Sequence, residues 1–157
     1  VVGGTQSGSA FSWLNGVLTD LGPGYAVDVN AAGQVVGVSN SGVTSRAVIW
    51  DNGRVIEVPG LAGPGSFAQP TNINDRGQVT GWSNPPGPSC SHAFLFDHGV
   101  SADLGSLVPG GCSIAGSNNL TGALNNAGSV VGDASAPKDT DRAFLWRGGV
   151  MIDLGSL

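Results

Sequence analysis

Ala143-Phe144-Leu145-Trp146-Arg147-Gly148-Gly149-Val150-Met151-Ile152-Asp153-Leu154-Gly155 is the last of four copies of one phrase. Earlier copies begin Ala10-Phe11-Ser12-Trp13, Ala47-Val48-Ile49-Trp50 and Ala93-Phe94-Leu95-Phe96. They close on Asp20-Leu21-Gly22, Glu57-Val58-Pro59 and Asp103-Leu104-Gly105. Each is broken by Asn15-Gly16, Asn52-Gly53, His98-Gly99 or Gly148-Gly149, which predicts a β-hairpin with a two-residue turn. A period of roughly 35–50 residues makes this a repeat protein. The repeated residues are those that pack and turn, which weighs against catalysis.

Between the hairpins runs a second phrase. It reads Asn30-Ala31-Ala32-Gly33-Gln34-Val35-Val36-Gly37, then Asn74-Asp75-Arg76-Gly77-Gln78-Val79-Thr80-Gly81, then Asn125-Asn126-Ala127-Gly128-Ser129-Val130-Val131-Gly132. Val29, Ile73 and Leu124 precede the Asn residues. Asn-x-x-Gly between short apolar runs predicts another hairpin, with Gly in the left-handed conformation. Each unit therefore has four strands. Strand a ends at the Asn, b is Val-Val-Gly, c is Ala-Phe-Leu-Trp, and d ends at Asp-Leu-Gly. Val1-Val2-Gly3 is a strand b with no strand a before it, so the chain is expected to be a mature product or part of something longer.

Strand direction places the constant a–b and c–d turns at one sheet edge and the variable links at the other. Cys90 and Cys112 both fall in variable links beside the same unit, where a disulfide is expected. The c–d register pairs Leu14 with Val17, Trp13 with Leu18 and Phe11 with Asp20. Both faces of such a sheet are apolar, so both are expected to be covered. The expectation is an all-β single repeat domain over residues 1–157, with units at about 1–22, 23–59, 60–105 and 106–157 and about fifteen strands. Four-stranded β-propeller blades are the favoured architecture, and a β-solenoid is the alternative.

The totals bound the function. The 157 residues are 40% apolar and only 11% charged, with 27 Gly and a net charge of −5. Six scattered basic residues against eleven acidic ones argue against nucleic acid. No apolar run is long enough to span a bilayer. One cysteine pair and a single lysine, Lys138, favour an extracellular setting.

His92-Ala93-Phe94-Leu95-Phe96, the Asp-Leu-Gly ends and Ile73-Asn74-Asp75-Arg76-Gly77-Gln78-Val79 resemble the bacterial extracellular HAF-repeat family, named for His-Ala-Phe. The resemblance covers essentially the whole chain. Only the third copy has the literal His; Ser9, Arg46 and Arg142 stand there in the others. It implies a secreted or surface-associated repeat without an established catalytic role, and it carries over no binding residues.

Candidate site residues are few. Asp20, Glu57, Asp103 and Asp153 recur at one position. They could line a ring and hold a cation, or contact a ligand or partner, but a carboxylate bonding its neighbouring backbone is the simpler reading. Asp28-Val29-Asn30 is better explained by turn chemistry than as a calcium loop. His92 and His98 lack metal spacing, so no metal or cofactor is expected. Trp13, Trp50, Phe96 and Trp146 read as core between units, whereas Trp82 breaks its series and is the exposed aromatic candidate for a ligand or partner. Val1-Val2-Gly3-Gly4 resembles a trypsin-like N-terminus, but no triad motif follows it. Asn119-Leu120-Thr121 is a glycosylation sequon.

The function expected is a non-catalytic extracellular structural or interaction module, self-associating through the strand edge left open in the first unit. Its partners would be other protein chains, copies of itself included. The alternative is a glycan- or protein-binding propeller using the variable loops, among them Asn84-Pro85-Pro86-Gly87-Pro88. A glycosidase using Asp133, Asp139 or Asp141 is the third reading.

Overall fold

The computed structural model describes residues 1–87, 90–115, 123–136 and 140–155. Among the described residues there are fourteen strands and no helix. They are β1 (Val2–Gly4), β2 (Ser9–Leu14), β3 (Val17–Val29), β4 (Val35–Ser39), β5 (Arg46–Asp51), β6 (Arg54–Glu57) and β7 (Ala68–Ile73). There follow β8 (Val79–Ser83), β9 (His92–Asp97), β10 (Val100–Asp103), β11 (Ser113–Ala115), β12 (Val130–Ala136), β13 (Thr140–Arg147) and β14 (Val150–Asp153). They form three antiparallel sheets, β1-β2-β3-β4-β5-β6, β7-β8-β9-β10 and β11-β12-β13-β14. The sequon, Asp139 and Pro88 lie outside the described residues.

Each hairpin has the expected register. Leu14 pairs with Val17, Trp13 with Leu18 and Phe11 with Asp20; Trp146 pairs with Met151 and Phe144 with Asp153. Asn15, Asn52 and His98 have φ of 49°, 47° and 47°, and each precedes a glycine that also has positive φ. Two successive positive φ angles make the type I′ turn, whose twist matches that of its strands.

There are two differences from expectation. The strand count is fourteen because β3 serves two units: its first half pairs with β2 and Gly24–Val29 pairs with β4. Gly22 and Gly24, both at positive φ around Pro23, let the chain change partner while staying extended. The second difference is that strand a of the fourth unit is not one run ending at Asn125. Among the described residues it consists of β11 and an isolated bridge from Leu124 to Val130. β3 and β7 each carry one bulged residue, Val27 and Thr71, at the same place. In the fourth unit the corresponding place on strand b lies between Gly132, which pairs with Ala115, and Val130, which bridges Leu124.

The bulge also accounts for the glycine of strand b. A Cβ on Gly37, Gly81 or Gly132 would lie 2.2, 2.0 or 2.1 Å from the carbonyl oxygen of Tyr25, Gln69 or Ile114. Only glycine admits the strand-a backbone so closely.

The core is three apolar clusters, each between consecutive units. Val2, Ala10 and Leu21 meet Val35, Val48 and Trp50. Val36, Ile49 and Val58 meet Val79, Phe94 and Phe96. Ala93, Leu95 and Leu104 meet Val130, Phe144 and Trp146. In the second and third units strands b and c are therefore mostly buried, whereas most positions of strand d are exposed. The expectation of cover on both sides holds for the inner strands and fails for the outer ones, because neighbouring units meet mainly along strands a, b and c.

Candidate functional site

The constant edge is a ladder of turns. Asn30 Oδ1 accepts from the backbone N–H groups of Ala32 and Gln34 at 3.1 and 3.0 Å. Its Nδ2 donates to Gln34 Oε1 at 2.7 Å and to the carbonyl of Asn74 at 2.9 Å, reaching the next unit. Asn74 repeats the pattern with Arg76, Gln78 and the carbonyl of Asn125. Gln34 Nε2 then donates to Asp51, and Gln78 Nε2 to Asp97, both at 3.0 Å. Strand a is stitched too: Asp28 Oδ2 accepts from the N–H of Ile73 at 3.0 Å, and Asn72 Oδ1 from that of Ala123 at 3.3 Å. Asn at the turn thus does hairpin work and also joins units. The sequence held a signal of this network that spacing alone did not reveal. Gln and Asp occur together in the second and third units, and Ser129 and Arg147 replace both in the fourth.

Three carboxylates are held below the usual carboxylate range. Asp75 is lowered by the N–H of Ala31 in the preceding unit and then by Asn126. Asp97 is lowered chiefly by Gln78, and Asp153 chiefly by the N–H of Gly155.

The variable edge carries the disulfide. Cys90 and Cys112 are bonded, with Cα atoms 5.3 Å apart. Beside it, His92 Nδ1 lies 2.9 Å from both oxygens of Asp103, and its Nε2 lies 3.0 Å from the carbonyl of Gly111. The Asp103 carboxylate and the Gly111 carbonyl thus hold the ring from both sides. Arginine fills the same place in two other units, as Arg46–Glu57 at 3.2 Å and Arg142–Asp153 at 2.9 Å. Asp20, Asp103 and Asp153 each also accept the backbone N–H two residues on, from Gly22, Gly105 and Gly155. Glu57 accepts instead from Gly65. Each repeated acid is thus engaged within its own unit, and Glu57 also by Gly65 of the next.

Trp82 is half-buried, with its ring centroid 5.1 Å from that of Phe67. Phe67 and Tyr25 are exposed, and the Tyr25 hydroxyl donates to Gln69 at 2.9 Å. A pocket of about 120 Å³ on the fourth unit brings Asp133 and Asp141 together with Cys112, Ile114 and Ser135. Its volume is below the roughly 300 Å³ at which small-molecule sites begin. Among the described residues no group of three His, Cys, Asp or Glu could hold a metal ion. No helix among them is long and apolar enough to cross a membrane.

No protein-family model and no curated protein matches the chain. Among solved structures it is similar to acylaminoacyl peptidase from Pyrococcus horikoshii, with a TM-score of 0.61 and 13% identity. The match covers 95% of this chain and 23% of the peptidase chain. At that identity the likeness is one of fold alone.

Proposed function

We propose that the chain is a non-catalytic extracellular structural and interaction module of the HAF-repeat kind, built of propeller blades, that self-associates through the open edge of β1. The blade reading is supported by where the units join. Hydrogen bonds between units gather along strand a and the a–b turns, while most positions of strand d are exposed. Units that meet at their inner strands and splay at their outer ones radiate, as blades do. A solenoid would stack its units evenly along their length. The disulfide supports an oxidising, extracellular setting.

The observation that carries self-association is Gly3. In the other units the strand-b glycine exists because the backbone of strand a presses against it. At Gly3 a Cβ would meet only the Phe11 ring, at 3.1 Å. The first unit keeps the glycine, and among the described residues β1 pairs with β2 alone. Val1 exchanges both backbone bonds with Trp13, so the N–H and C=O of Val2 point to the free edge. An unpaired strand edge is a template for another strand. Val2→Pro removes the outward donor and spares the pairing with β2. Sedimentation velocity of the 157-residue chain should show association that this substitution weakens at least tenfold. Undiminished association of Val2→Pro, or a wild-type monomer at high concentration, contradicts the reading.

A further inference from the structure

The chain has four Trp, one Tyr and five Phe. Seven of the ten are accounted for by the repeat: Phe11, Trp13, Trp50, Phe94, Phe96, Phe144 and Trp146 all stand in strand c. The other three are Tyr25, Phe67 and Trp82, and they are found together. The rings of Phe67 and Trp82 have centroids 5.1 Å apart and are tilted by 52°. Gln69 pairs with Trp82 across β7 and β8, and its Oε1 accepts from the Tyr25 hydroxyl at 2.9 Å. Gln69 thus links the tyrosine of the second unit to the ring pair of the third.

The fold does not call for aromatic residues at these places. Register sets Tyr25 level with Gln69 and Ile114 in the next two units, and Trp82 level with Val38 and Asp133. Val38 is buried at 5% exposure, so a valine suffices there to close the junction. Tyr25 and Phe67 are 38% and 46% exposed, and Trp82 is half-buried. Single exposed apolar residues are ordinary, but three that depart from the repeat and converge are not single. All four residues belong to the second and third units, each of which packs against a unit on either side.

We infer that Tyr25, Phe67, Gln69 and Trp82 form a binding site for a neutral saccharide. Aromatic rings offer an apolar surface that the C–H face of a pyranose can cover, with a polar handle on Tyr and Trp. The amide supplies direction. Gln69 Oε1 is engaged by Tyr25, whereas Nε2 makes only a 3.5 Å contact, with the carbonyl of Pro70, among the described residues. Nε2 is thus a donor for a sugar hydroxyl, and the Tyr25 oxygen keeps lone pairs to accept from another. All four are uncharged residue types, which suits a neutral sugar and not a sulfated or uronic one. Size weighs against a protein partner. A stable protein interface covers about 800 Å² on each side, far more than four side chains offer, whereas one or two sugar rings are of the size of the patch. The site does not involve the edge of β1, so it stands independently of self-association.

Isothermal titration calorimetry of the 157-residue chain with cellohexaose, chitohexaose, maltohexaose, laminarihexaose and mannohexaose, each to about 10 mM, tests it. At least one should bind, in the micromolar to millimolar range. Trp82→Ala should weaken that binding at least tenfold, and Gln69→Leu at least threefold. Because Trp82 is partly packed, Phe67→Ala, at an exposed position, gives a second reading and should also weaken binding at least tenfold. Circular dichroism checks that each variant is folded. Trp13→Ala, at an exposed tryptophan outside the site, should bind as the wild type does. Failure of all five saccharides to bind overturns the assignment. So does binding that survives both Trp82→Ala and Phe67→Ala undiminished. Neither result bears on the sedimentation of the chain, so self-association is judged apart.

Discussion

Asn74 donates its side-chain amide to the backbone carbonyl of Asn125, 3.0 Å away in the next unit. Asn30 does the same to Asn74 at 2.9 Å. One residue type, at one place in the turn, thus closes its own hairpin and holds the following one.

Asn74→Ala strips two backbone N–H groups of their acceptor and one inter-unit bond of its donor. Buried polar groups left unpaired cost about 1–3 kcal/mol each, so a loss of roughly 3 kcal/mol is expected. Exposed Asn52→Ala, in a c–d turn, should cost about 1 kcal/mol or less through its positive φ. Urea denaturation of the two variants measures the difference.

Gly81→Ala places a methyl 2.0 Å from the Gln69 carbonyl oxygen, so the backbone of β7 must move. A cost of about 3 kcal/mol or more is expected, in the range of severe overpacking. Gly3→Ala meets only a ring that can shift, and should cost about 1 kcal/mol or less in the isolated chain. Thermal or urea unfolding of both variants checks the contrast.

Acid should destabilise the fold in a defined window. Asp75, Asp97 and Asp153 are lowered from 3.8 in the folded chain. A depressed carboxylate contributes stability that is full above its unfolded value and is lost as pH falls through the folded one. Stability should be level from neutrality to about pH 5 and decline below about pH 4. Gln78→Leu removes the chief cause at Asp97 and should shrink that decline. Urea midpoints from pH 7 to pH 2.5 measure it.

The Cys90–Cys112 bridge spans a sequence separation of 22. A loop of that size is worth about 3 kcal/mol through the unfolded chain. Cys90→Ser with Cys112→Ser should lower the urea midpoint accordingly. Added reductant should act on the wild type and leave the double variant unchanged.

Much of this architecture was legible because turn chemistry is local. Asn15-Gly16 dictates the Phe11–Asp20 register without help from the rest of the chain, and strand direction follows from it. Cys90 and Cys112 fell together for the same reason. What escaped was set by contact between units. Nothing local in Gly22-Pro23-Gly24 says that β3 runs on into the next unit, since the same tripeptide suits a turn. The bulges at Val27 and Thr71 fall at the same place in their units, which no spacing rule reports. Trp82 looked exposed because its series neighbours, Val38 and Asp133, are unlike it. Its half-buried state depends on Phe67, whose approach no spacing rule reports. The bonds from Asp28 to Ile73 and from Gln34 to Asp51 join residues whose proximity only the packed units create.

The most direct measurement is the weight-average mass of the 157-residue chain by light scattering, from low micromolar to near-millimolar concentration. Self-association through the open edge of β1 requires a mass that starts near 15.6 kDa and rises steadily with concentration. A mass that stays at 15.6 kDa throughout would contradict it.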